Sequence, residues 1–308
     1  MKYSVCVVIV TYNRLTDLIT TLEEYEKQTY CPETLIVVNN AATDGTHDFL
    51  EEWKNGSGRF ERVVVHSERN LGGAGGFALG IKEAVKTGCE FVFLADDDAV
   101  PAVDMLEKLL DGYDSMEDKD SIAAMCTRVN DQYGISHIHR SRVRTGLVSI
   151  SRFPIPDEEY ENRLFDVDLL TFVGALLRKD AIEKVGLPLE EYFIHEDDAE
   201  YSTRLKKEGR IVCVSDSVMT HPYGGNDTKD WIEYYTTRNY VDYIGRHYPH
   251  RYQMFAMFDK YVKKSSFIAR LIKHRSKNYR KMNMTAIKDG KNGKLGISEE
   301  YKPGQAIG

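Results

Sequence analysis

The sequence has no apolar run long enough to span a lipid bilayer, which takes about 18–20 consecutive apolar residues. The residues before the first strand-like segment, Val5–Val10, are too few and too weakly basic to predict a signal peptide. The five cysteines are scattered, odd in number and without zinc-type spacing, which predicts reduced thiols in a cytoplasmic protein. Internal repeats and low-complexity segments are absent as well. These absences argue against a transmembrane, secreted or zinc-binding protein.

What the sequence does have is an ordinary globular composition with unevenly distributed charge. Hydrophobic residues make up 42% and charged residues 29% of the chain, and the formal net charge is −7. Between residues 246 and 294, however, fourteen basic residues accompany only two acids, Asp259 and Asp289. We therefore expect a main domain at 1–245 and a basic helical region at 246–308 that meets something anionic.

Apolar residues are interleaved with the cations of this basic region. They are Phe255, Met257, Phe258, Tyr261, Phe267, Ile268, Leu271 and Ile272. The pattern is typical of a helix that lies on an anionic membrane surface. A helix packed on the core or in an oligomer interface explains it equally well, and both interpretations stay open.

The first half of the chain alternates strand-like and helix-like segments. The predicted strands are Val5–Val10, Thr34–Val38, Arg62–His66 and Glu90–Ala95. Alternation of this kind predicts an α/β fold in which helices cover both faces of a mostly parallel sheet. Such sheets bind ligands at the carboxyl ends of their strands. Because polar residues follow three of these strands, at 11–13, 39–40 and 96–98, the sequence predicts one ligand site at that edge.

An acidic triplet ends the most apolar of these strands. On an extended chain alternate side chains share a face, so Asp96 and Asp98 can grip one hard cation while Asp97 faces away. Carboxylate oxygens suit Mg²⁺ or Mn²⁺, which commonly bridge a protein to substrate phosphates. The alternative interpretation is a solvated acidic turn that caps the next helix.

A second acidic block opens a predicted helix at 195–209. Asp198 shares a helical stripe with Tyr201, Ser202 and Leu205, which should face inward, so we expect Asp198 to point toward a pocket. A carboxylate in that position is able to act as a general base. Asp197 is a candidate for binding a substrate hydroxyl, and helix capping is the alternative role for both acids.

Three weaker signals remain. The segment 70–76 is rich in glycine and lies between a strand and a helix, where phosphate can bind, although the dinucleotide-binding pattern would follow the first strand instead. His221 follows a strand-like segment and is either a third metal ligand or a structural histidine. The basic run Arg140–Arg144 is predicted as a solvated loop, with contact to an anion as the alternative.

Taken together and in order, these motifs resemble those of a family 2 glycosyltransferase with the GT-A fold. They are Val-Ile-Val-Thr-Tyr-Asn-Arg at 8–14, Val-Val-Asn-Asn-Ala-Ala-Thr-Asp-Gly-Thr at 37–46, Asn-Leu-Gly-Gly-Ala-Gly-Gly at 70–76, the Asp triplet at 96–98 and Glu-Asp-Asp-Ala-Glu-Tyr at 196–201. The resemblance covers residues 3–245. Within the family, the triplet, the second acidic block and the later histidine are most similar to galactofuranosyltransferases, with rhamnosyltransferases as near neighbours.

The resemblance implies which residues bind the donor. Thr11, Asn13 and Asn40 match positions that line the base and ribose of a nucleotide. The full predicted substrate-binding set is Thr11, Asn13, Asn40, Asn70, Asp97 and Asp197. Many relatives have Asp where this chain has Asn39 or Asn40, and because an amide donates as well as accepts, the base contacts are expected to differ.

The resemblance also implies a reaction. Asp96 and Asp98 match the metal-binding motif, His221 matches the third ligand of Mn²⁺ or Mg²⁺, and Asp198 matches the catalytic base. The implied enzyme transfers a sugar with inversion of its anomeric configuration, and the sugar implied first is galactofuranose from UDP-galactofuranose. The metal would neutralise the diphosphate leaving group. The two residues Arg238 and Asn239 are expected to contact the acceptor or the diphosphate.

Other functions and partners are kept open at this stage. The alternatives are a rhamnosyltransferase that uses dTDP-rhamnose, a sugar nucleotidyltransferase, and a non-catalytic sugar-nucleotide binder. The expected acceptor is a growing cell-surface glycan that is lipid-linked. Nucleic acid is not an expected partner, and the expected location is the cytoplasm or the inner face of the plasma membrane. An oligomer is also compatible with the sequence.

Overall fold

The computed structural model describes residues 3–146, 150–222, 230–248 and 277–305. The apolar residues from Phe255 to Ile272, on which the prediction of a membrane-surface helix depends, lie outside the described residues. Within the part of the chain that is described, no helix is long and apolar enough to cross a membrane.

The described chain folds into strands and helices that alternate over its first third. The strands are β1 (Val5–Thr11), β2 (Thr34–Asn39), β3 (Glu61–His66), β4 (Phe91–Asp96), β5 (Val100–Pro101), β6 (Ile122–Asp131), β7 (Gly134–Ile135), β8 (Arg140–Thr145), β9 (Ile150–Pro154), β10 (Leu164–Val167), β11 (Leu169–Leu170), β12 (Ala175–Arg178) and β13 (Arg210–Thr220). The helices are α1 (Leu15–Glu26), α2 (Thr46–Asn55), α3 (Gly72–Lys86), α4 (Met105–Asp114), α5 (Lys179–Val185), α6 (Asp197–Glu208), α7 (Asp230–His247) and α8 (Lys277–Lys291). Every strand predicted before residue 96 is present.

The main sheet is mostly parallel, as predicted. Its strands run in the order β10-β13-β6-β12-β4-β1-β2-β3, with β5 and β7 paired at the side. Neighbours from β4 to β3 are parallel, β12 is antiparallel to both β4 and β6, and β13 is parallel to β6. A separate three-stranded antiparallel sheet contains β11, β8 and β9.

Both faces of the central strands are buried. Val8 and Val10 of β1 pack into one apolar cluster with Ile81 of α3, whereas Val7 and Ile9 pack into the cluster on the opposite face. Strands buried on both sides are continuously apolar rather than alternating, which is why their sequences were easy to recognise.

The polar strand ends lie side by side at one edge of the sheet. Thr11 pairs with Asn39, Asn39 pairs with His66, and Asp96 pairs with Val10. On the other side of β12, the strands β6 and β13 point the same way as β4, so the end of β13 reaches the same edge. The predicted convergence of strand ends is therefore confirmed.

The prediction of a solvated loop at Arg140–Arg144 is wrong. These residues belong to β8, and the side chain of Arg140 is buried, with 1% of its surface exposed. Its guanidinium donates to the carbonyl oxygens of Thr127 at 3.0 Å and Val173 at 2.7 Å. It also lies beside Gly174, which has a φ of +73° and directly precedes β12. A charge run indicates a solvated surface only when no carbonyl oxygens lie within reach of its members.

Candidate active site

Three potential metal ligands meet at the carboxyl ends of β4 and β13. Asp96 ends β4, Asp98 lies two residues further along, and His221 directly follows β13. One atom from each residue lies within 4.8 Å of the other two. His221 Nε2 lies 3.1 Å from Asp98 Oδ1 and 3.8 Å from Asp96 Oδ2. The structure thus brings together the predicted ligands, and we refer to Asp96, Asp98 and His221 as the strand-end cluster.

The electrostatics of the strand-end cluster fit a divalent cation. Burial and the charge of Asp98 raise the pKa of Asp96 to about 6. Burial also acts to raise the pKa of Asp98, but His221 and the Arg14 charge outweigh it and hold that pKa below its usual value. Although His221 is near, Asp98 Oδ1 is buried and has no aligned hydrogen-bond donor among the described residues. Two carboxylates and an imidazole with an unsatisfied buried oxygen are a donor set that suits Mn²⁺ or Mg²⁺.

Arg14 is a part of the site that we did not predict. Its Nη1 lies 2.5 Å from Asp98 Oδ2 and 3.2 Å from Asp97 Oδ1, and half of its side chain is exposed. Asp97 itself is buried, and burial raises its pKa to about 7 despite the opposing effects of Thr11 and Arg14. The only sequence signal for Arg14 was its position at the end of the first polar motif, directly after β1.

The predicted substrate-binding amides shape a loop. Asn40 Nδ2 donates to Gly72 O at 3.0 Å and to Asn70 Oδ1 at 3.2 Å, while Asn40 Oδ1 accepts from Leu71 N at 2.8 Å. Asn70 Oδ1 also accepts from Gly72 N at 2.7 Å. Both side chains therefore hold the glycine-rich segment against the end of β2, and a contact with substrate stays a prediction for each.

The other two predicted nucleotide-binding residues follow β1. Thr11 is buried, whereas Asn13 is exposed and has a φ of +55°. Asn13 Oδ1 accepts from the backbone N–H of Thr43 at 2.7 Å, which joins the turns that follow β1 and β2. The role of Thr11 and Asn13 in binding a nucleotide stays a prediction.

Asn39, at the end of β2, lies in a polar chain. Its Nδ2 is 3.1 Å from His66 Nδ1, and His66 Nε2 is 2.9 Å from Glu51 Oε1. Asn39 Oδ1 accepts from Ala42 N at 2.9 Å. This arrangement fits an amide N–H that donates to His66 Nδ1, with His66 Nε2–H donating to the carboxylate of Glu51. His66 carried no sequence signal, because its partner Glu51 lies on a helix.

Close packing accounts for two glycines of the 70–76 segment. A side chain at Gly72, whose φ is +71°, would place Cβ 1.9 Å from the carbonyl oxygen of Phe193. At Gly76, Cβ would lie 2.5 Å from Val10 Cγ1, so this glycine lets α3 pack tightly on β1. The glycine pattern therefore reports contacts within the protein and gives no separate indication of a phosphate.

The second acidic block lies at the amino terminus of α6. Asp197 is 7% exposed, and Asp198 is partly buried, with Oδ1 accepting from Ala199 N at 2.7 Å. Burial and the charge of Glu196 raise the pKa of Asp198 to about 6, and burial with the charge of Asp198 raises that of Asp197. Asp198 in turn raises the pKa of Asp96, so the two acidic groups are electrostatically connected.

The predicted inward stripe of α6 is confirmed for the residues that follow Asp198. Tyr201, Ser202 and Leu205 are fully buried. Ser202 Oγ accepts from Leu170 N at 3.1 Å, which joins α6 to β11, and lies 2.7 Å from Asp198 O within the helix. The helix begins at residue 197, two residues later than predicted, because the preceding residues have positive φ.

Arg238 and Asn239 are buried and bind backbone groups of the protein. They are 1% and 0% exposed, and their side chains bind backbone oxygens of the segment 191–196, which precedes α6. The expectation of direct contact with acceptor or diphosphate is wrong, because every polar group of a buried guanidinium or amide needs a partner nearby and these have found theirs.

His139 is a further residue that the sequence did not indicate. It is 4% exposed, its Nδ1 lies 2.8 Å from Thr171 Oγ1, and its ring meets the ring of His221 edge-on at 5.2 Å. Burial and the charge of Arg140 lower the pKa of His139 to about 2, which keeps it neutral. A neutral aromatic neighbour fixes the plane of the His221 ring without adding charge to the strand-end cluster.

Comparison with known proteins points to one family. The model of the family "Glycosyl transferase family 2" matches residues 6–186. Galactofuranosyltransferase GlfT1 of Mycolicibacterium smegmatis is 30% identical over 230 residues, which are 73% of this chain and 73% of that protein. GlfT1 of Mycobacterium tuberculosis is 32% identical over 235 residues, or 74% of this chain and 73% of that protein.

Solved structures share the fold at low sequence identity. GalNAc-T7, crystallised with UDP, GalNAc and Mn²⁺, superposes with a TM-score of 0.62 at 14% identity. The match covers 94% of this chain but 56% of that one, so this chain spans little more than half of GalNAc-T7. Residues 1–349 of S. aureus TarS in complex with UDP give a TM-score of 0.58 at 17% identity, covering 92% of this chain and 81% of that one.

Proposed function

The chain belongs to glycosyl transferase family 2 and has the GT-A fold, and we propose that it transfers galactofuranose from UDP-galactofuranose to a hydroxyl of a glycan. The proposed reaction inverts the anomeric centre and depends on a divalent cation. The sugar is suggested by relatives that are galactofuranosyltransferases, and UDP is the nucleotide bound in the similar TarS and GalNAc-T7 structures.

One observation carries the proposal: a group of potential metal ligands lies close enough to a carboxylate of raised pKa that the charge of Asp198 raises the pKa of Asp96. The strand-end cluster supplies the first, and Asp198, with a pKa of about 6, supplies the second. A base with a pKa close to neutrality accepts a proton most usefully, because it is deprotonated before the reaction and basic enough during it.

Asp96, Asp98 and His221 would hold the Mn²⁺ or Mg²⁺ ion. When bound, the ion supplies positive charge at the diphosphate, where negative charge develops as the glycosidic bond breaks. A glycosidase instead needs a second carboxylic acid to protonate its leaving group, and the proposed reaction needs none. Arg14, half-exposed beside Asp98, is positioned to add a further positive charge there.

Asp198 would accept the proton of the acceptor hydroxyl as its oxygen attacks the anomeric carbon. Attack from the face opposite the diphosphate inverts the configuration, and the proton moves from the hydroxyl to a carboxylate oxygen of Asp198. Asp197, buried beside it, would orient a sugar hydroxyl. Thr11, Asn13, Asn40, Asn70 and Asp97 complete the proposed donor site.

The second part of the proposal concerns the acceptor and the place where the reaction occurs. We infer a lipid-linked glycan at the inner face of the plasma membrane, with residues 1–245 as the transferase domain and the basic region 246–308 as its contact with an anionic surface. The sequence of the basic region supports this, and residues 249–276 of that region lie outside the described residues.

The test is donor turnover by the purified protein. Release of nucleotide diphosphate from UDP-galactofuranose, dTDP-rhamnose and common UDP-hexoses is measured with Mn²⁺ present and after chelation. We expect metal-dependent release of UDP from UDP-galactofuranose alone. Release from dTDP-rhamnose instead would move the substrate to the rhamnosyltransferases, for which the Asn39 amide leaves room. No release with any donor, with a glycan acceptor present, would contradict the proposal.

A further inference from the structure

The segment 191–196, which leads into α6, has a costly backbone conformation. Phe193, His195 and Glu196 have φ values of +66°, +64° and +69°. Such a conformation is unfavourable for a residue other than glycine, and it persists only where its surroundings determine it. Among the described residues only Asn13 and Ala41 are other non-glycine residues with positive φ. Something specific must therefore hold this segment.

Two side chains of α7 donate hydrogen bonds to the backbone of this segment. Asn239 Nδ2 donates to the carbonyl oxygens of Tyr192, Ile194 and His195, each at 2.9 Å. Arg238 Nη2 donates to the carbonyl oxygens of Glu191 and Tyr192, each at 3.1 Å. Arg238 and Asn239 therefore bind four of the five backbone carbonyl groups from Glu191 to His195, all except that of Phe193.

The pair also fixes itself and a distant part of the chain. Arg238 Nε donates to Asn239 Oδ1 at 2.9 Å, which determines that the Nδ2 side of the amide faces the segment. Arg238 Nη1 donates to the carbonyl oxygen of Gly296, and Gly296 N donates to Glu191 O at 2.8 Å. The stretch after α8 thus closes over the same backbone.

The remaining carbonyl group, that of Phe193, is bound by the backbone of the glycine-rich segment 70–76. Phe193 O accepts from Ala74 N, at 3.2 Å, in the first turn of α3. Gly72 allows this approach, because any side chain there would collide with Phe193 O. The segment 191–196 is therefore connected through Phe193 to the glycine-rich segment. At its carboxyl end it leads directly to Asp197 and Asp198.

We infer that Arg238 and Asn239 are positioning residues for the transfer reaction, which hold the segment 191–196 so that Asp198 faces the acceptor hydroxyl. This inference rests on the proposed role of Asp198 as the base. Neither residue touches substrate in it. Their donors replace the regular hydrogen bonds that a strained backbone lacks, and so they determine where the first turn of α6 begins.

The test compares Asn239→Asp with a matched control, Asn283→Asp. An aspartate has the same shape but cannot donate to the three carbonyl oxygens. Asn283, also buried, lies on α8, donates to Tyr279 O and accepts from Thr237 Oγ1, so its hydrogen bonds join α7 and α8 and do not bind the backbone of the segment 191–196. For Asn239→Asp we expect kcat to fall about 10²-fold, the effect of a displacement of about 1 Å in an active site, while the KM for donor stays within about twofold.

Hydrogen exchange of the backbone provides a readout that does not depend on activity. Amides of residues 191–198 should exchange faster in Asn239→Asp but not in Asn283→Asp, even if both variants lose similar thermal stability. If Asn239→Asp does not fold, Arg238→Lys serves instead: one ammonium cannot reach both Tyr192 O and Gly296 O, and we expect the same changes, with kcat about tenfold lower.

Two results would overturn the inference. One is a kcat per folded molecule that Asn239→Asp or Arg238→Lys leaves within twofold of the unaltered protein. The other is an equal loss of kcat in Asn283→Asp, which would show that general destabilisation is responsible. Measuring Asp198→Asn in parallel separates failures: if that variant keeps its turnover, the proposed base is wrong, whereas the exchange data still decide whether the pair holds the segment.

Discussion

The strand-end cluster and the segment 191–196 place acidic side chains in opposite ways. In the strand-end cluster, regular strands carry Asp96 and His221 to one sheet edge, and the backbone fixes the side chains. Before α6 the relation is reversed, since the side chains of Arg238 and Asn239 fix an irregular backbone, which then presents Asp198. The proposed binding of the donor thus depends on sheet register, and the proposed proton transfer depends on a few buried hydrogen bonds.

This difference predicts which kinetic constant each region controls. Ligands carried by a sheet that is buried on both faces are rigid, so a change there should alter what binds. A carboxylate presented by a strained segment can be displaced without unfolding the sheet, so a change there should alter how fast a bound donor reacts. The experiments below separate the two regions on that basis, beginning with the largest expected effect.

Asp198→Asn should have the largest effect. An amide cannot take the acceptor proton, so we expect kcat to fall by about 10²- to 10⁴-fold, the usual contribution of a general base. Binding of the donor, measured by calorimetry, should be nearly unchanged. Glu208→Gln at the exposed far end of α6 is the control and should leave kcat as it is. Retained turnover in Asp198→Asn would remove the distinction between the two regions.

Asp98→Asn should alter binding instead. Substitution of a residue that only hydrogen-bonds to a metal ligand typically lowers metal affinity about 10- to 100-fold. Because Asp98→Asn changes a ligand itself, we expect a larger fall in the affinity for Mn²⁺, measured by electron paramagnetic resonance. Affinity for the nucleotide diphosphate should fall with it. Asp111→Asn, an exposed acid on α4, serves as the control. Unchanged binding of Mn²⁺ would show that the three residues do not form a metal site.

The same contrast explains what the sequence predicted well. Strands buried on both faces have a continuous apolar signal, so β1, β2 and β4 and the polar residues at their ends were predicted with nearly correct bounds. His221 was found because it follows a strand of the same sheet. The stripe of α6 was correct from Tyr201 onward, since helical periodicity reports which side faces inward.

Contacts between side chains and distant backbone were not predictable. Arg140 appeared in the sequence as one of several surface cations, because nothing local reveals the carbonyl oxygens that bury it. Arg238 and Asn239 lie more than 40 residues after the segment they hold, and polar residues on a helix are usually taken as ligands or solvated groups. The positive φ values of His195 and Glu196 likewise depend on those distant donors.

Arg140→Lys tests whether every buried arginine that binds carbonyl oxygens controls turnover. Lysine keeps the charge but loses several donors, so we expect the free energy of unfolding to fall by about 1–3 kcal/mol, the cost of buried acceptors left without partners. Because Arg140 lies beneath regular strands, kcat and KM per folded molecule should stay within about twofold. Arg144→Lys, exposed on the same strand, should change neither stability nor kinetics. A large loss of kcat in Arg140→Lys would break the comparison.

The smallest expected effect concerns charge around Asp198. Its pKa, raised to about 6 mainly by burial, is increased further by the carboxylate of Glu196 and lowered by the guanidinium of Arg152. Glu196 and Arg152 form an ion pair of 2.6 Å. The charges of Asp197 and Asp96 also interact with this group of residues, although bound metal would neutralise the latter.

Because only the carboxylate form of Asp198 accepts a proton, kcat should decline as the pH falls through about 6. Glu196→Gln removes one negative neighbour and leaves the Arg152 charge uncompensated, and both changes favour the carboxylate, so the acidic limb should move to lower pH. We expect a shift of less than about one pH unit, since a partly exposed pair contributes roughly 1 kcal/mol or less and one unit corresponds to about 1.4 kcal/mol. Glu183→Gln on α5 should leave the profile in place. If the acidic limb of the kcat profile moves to higher pH in Glu196→Gln, the limb reports the titration of a group other than Asp198. The proposal that the strained segment controls proton transfer would then be wrong.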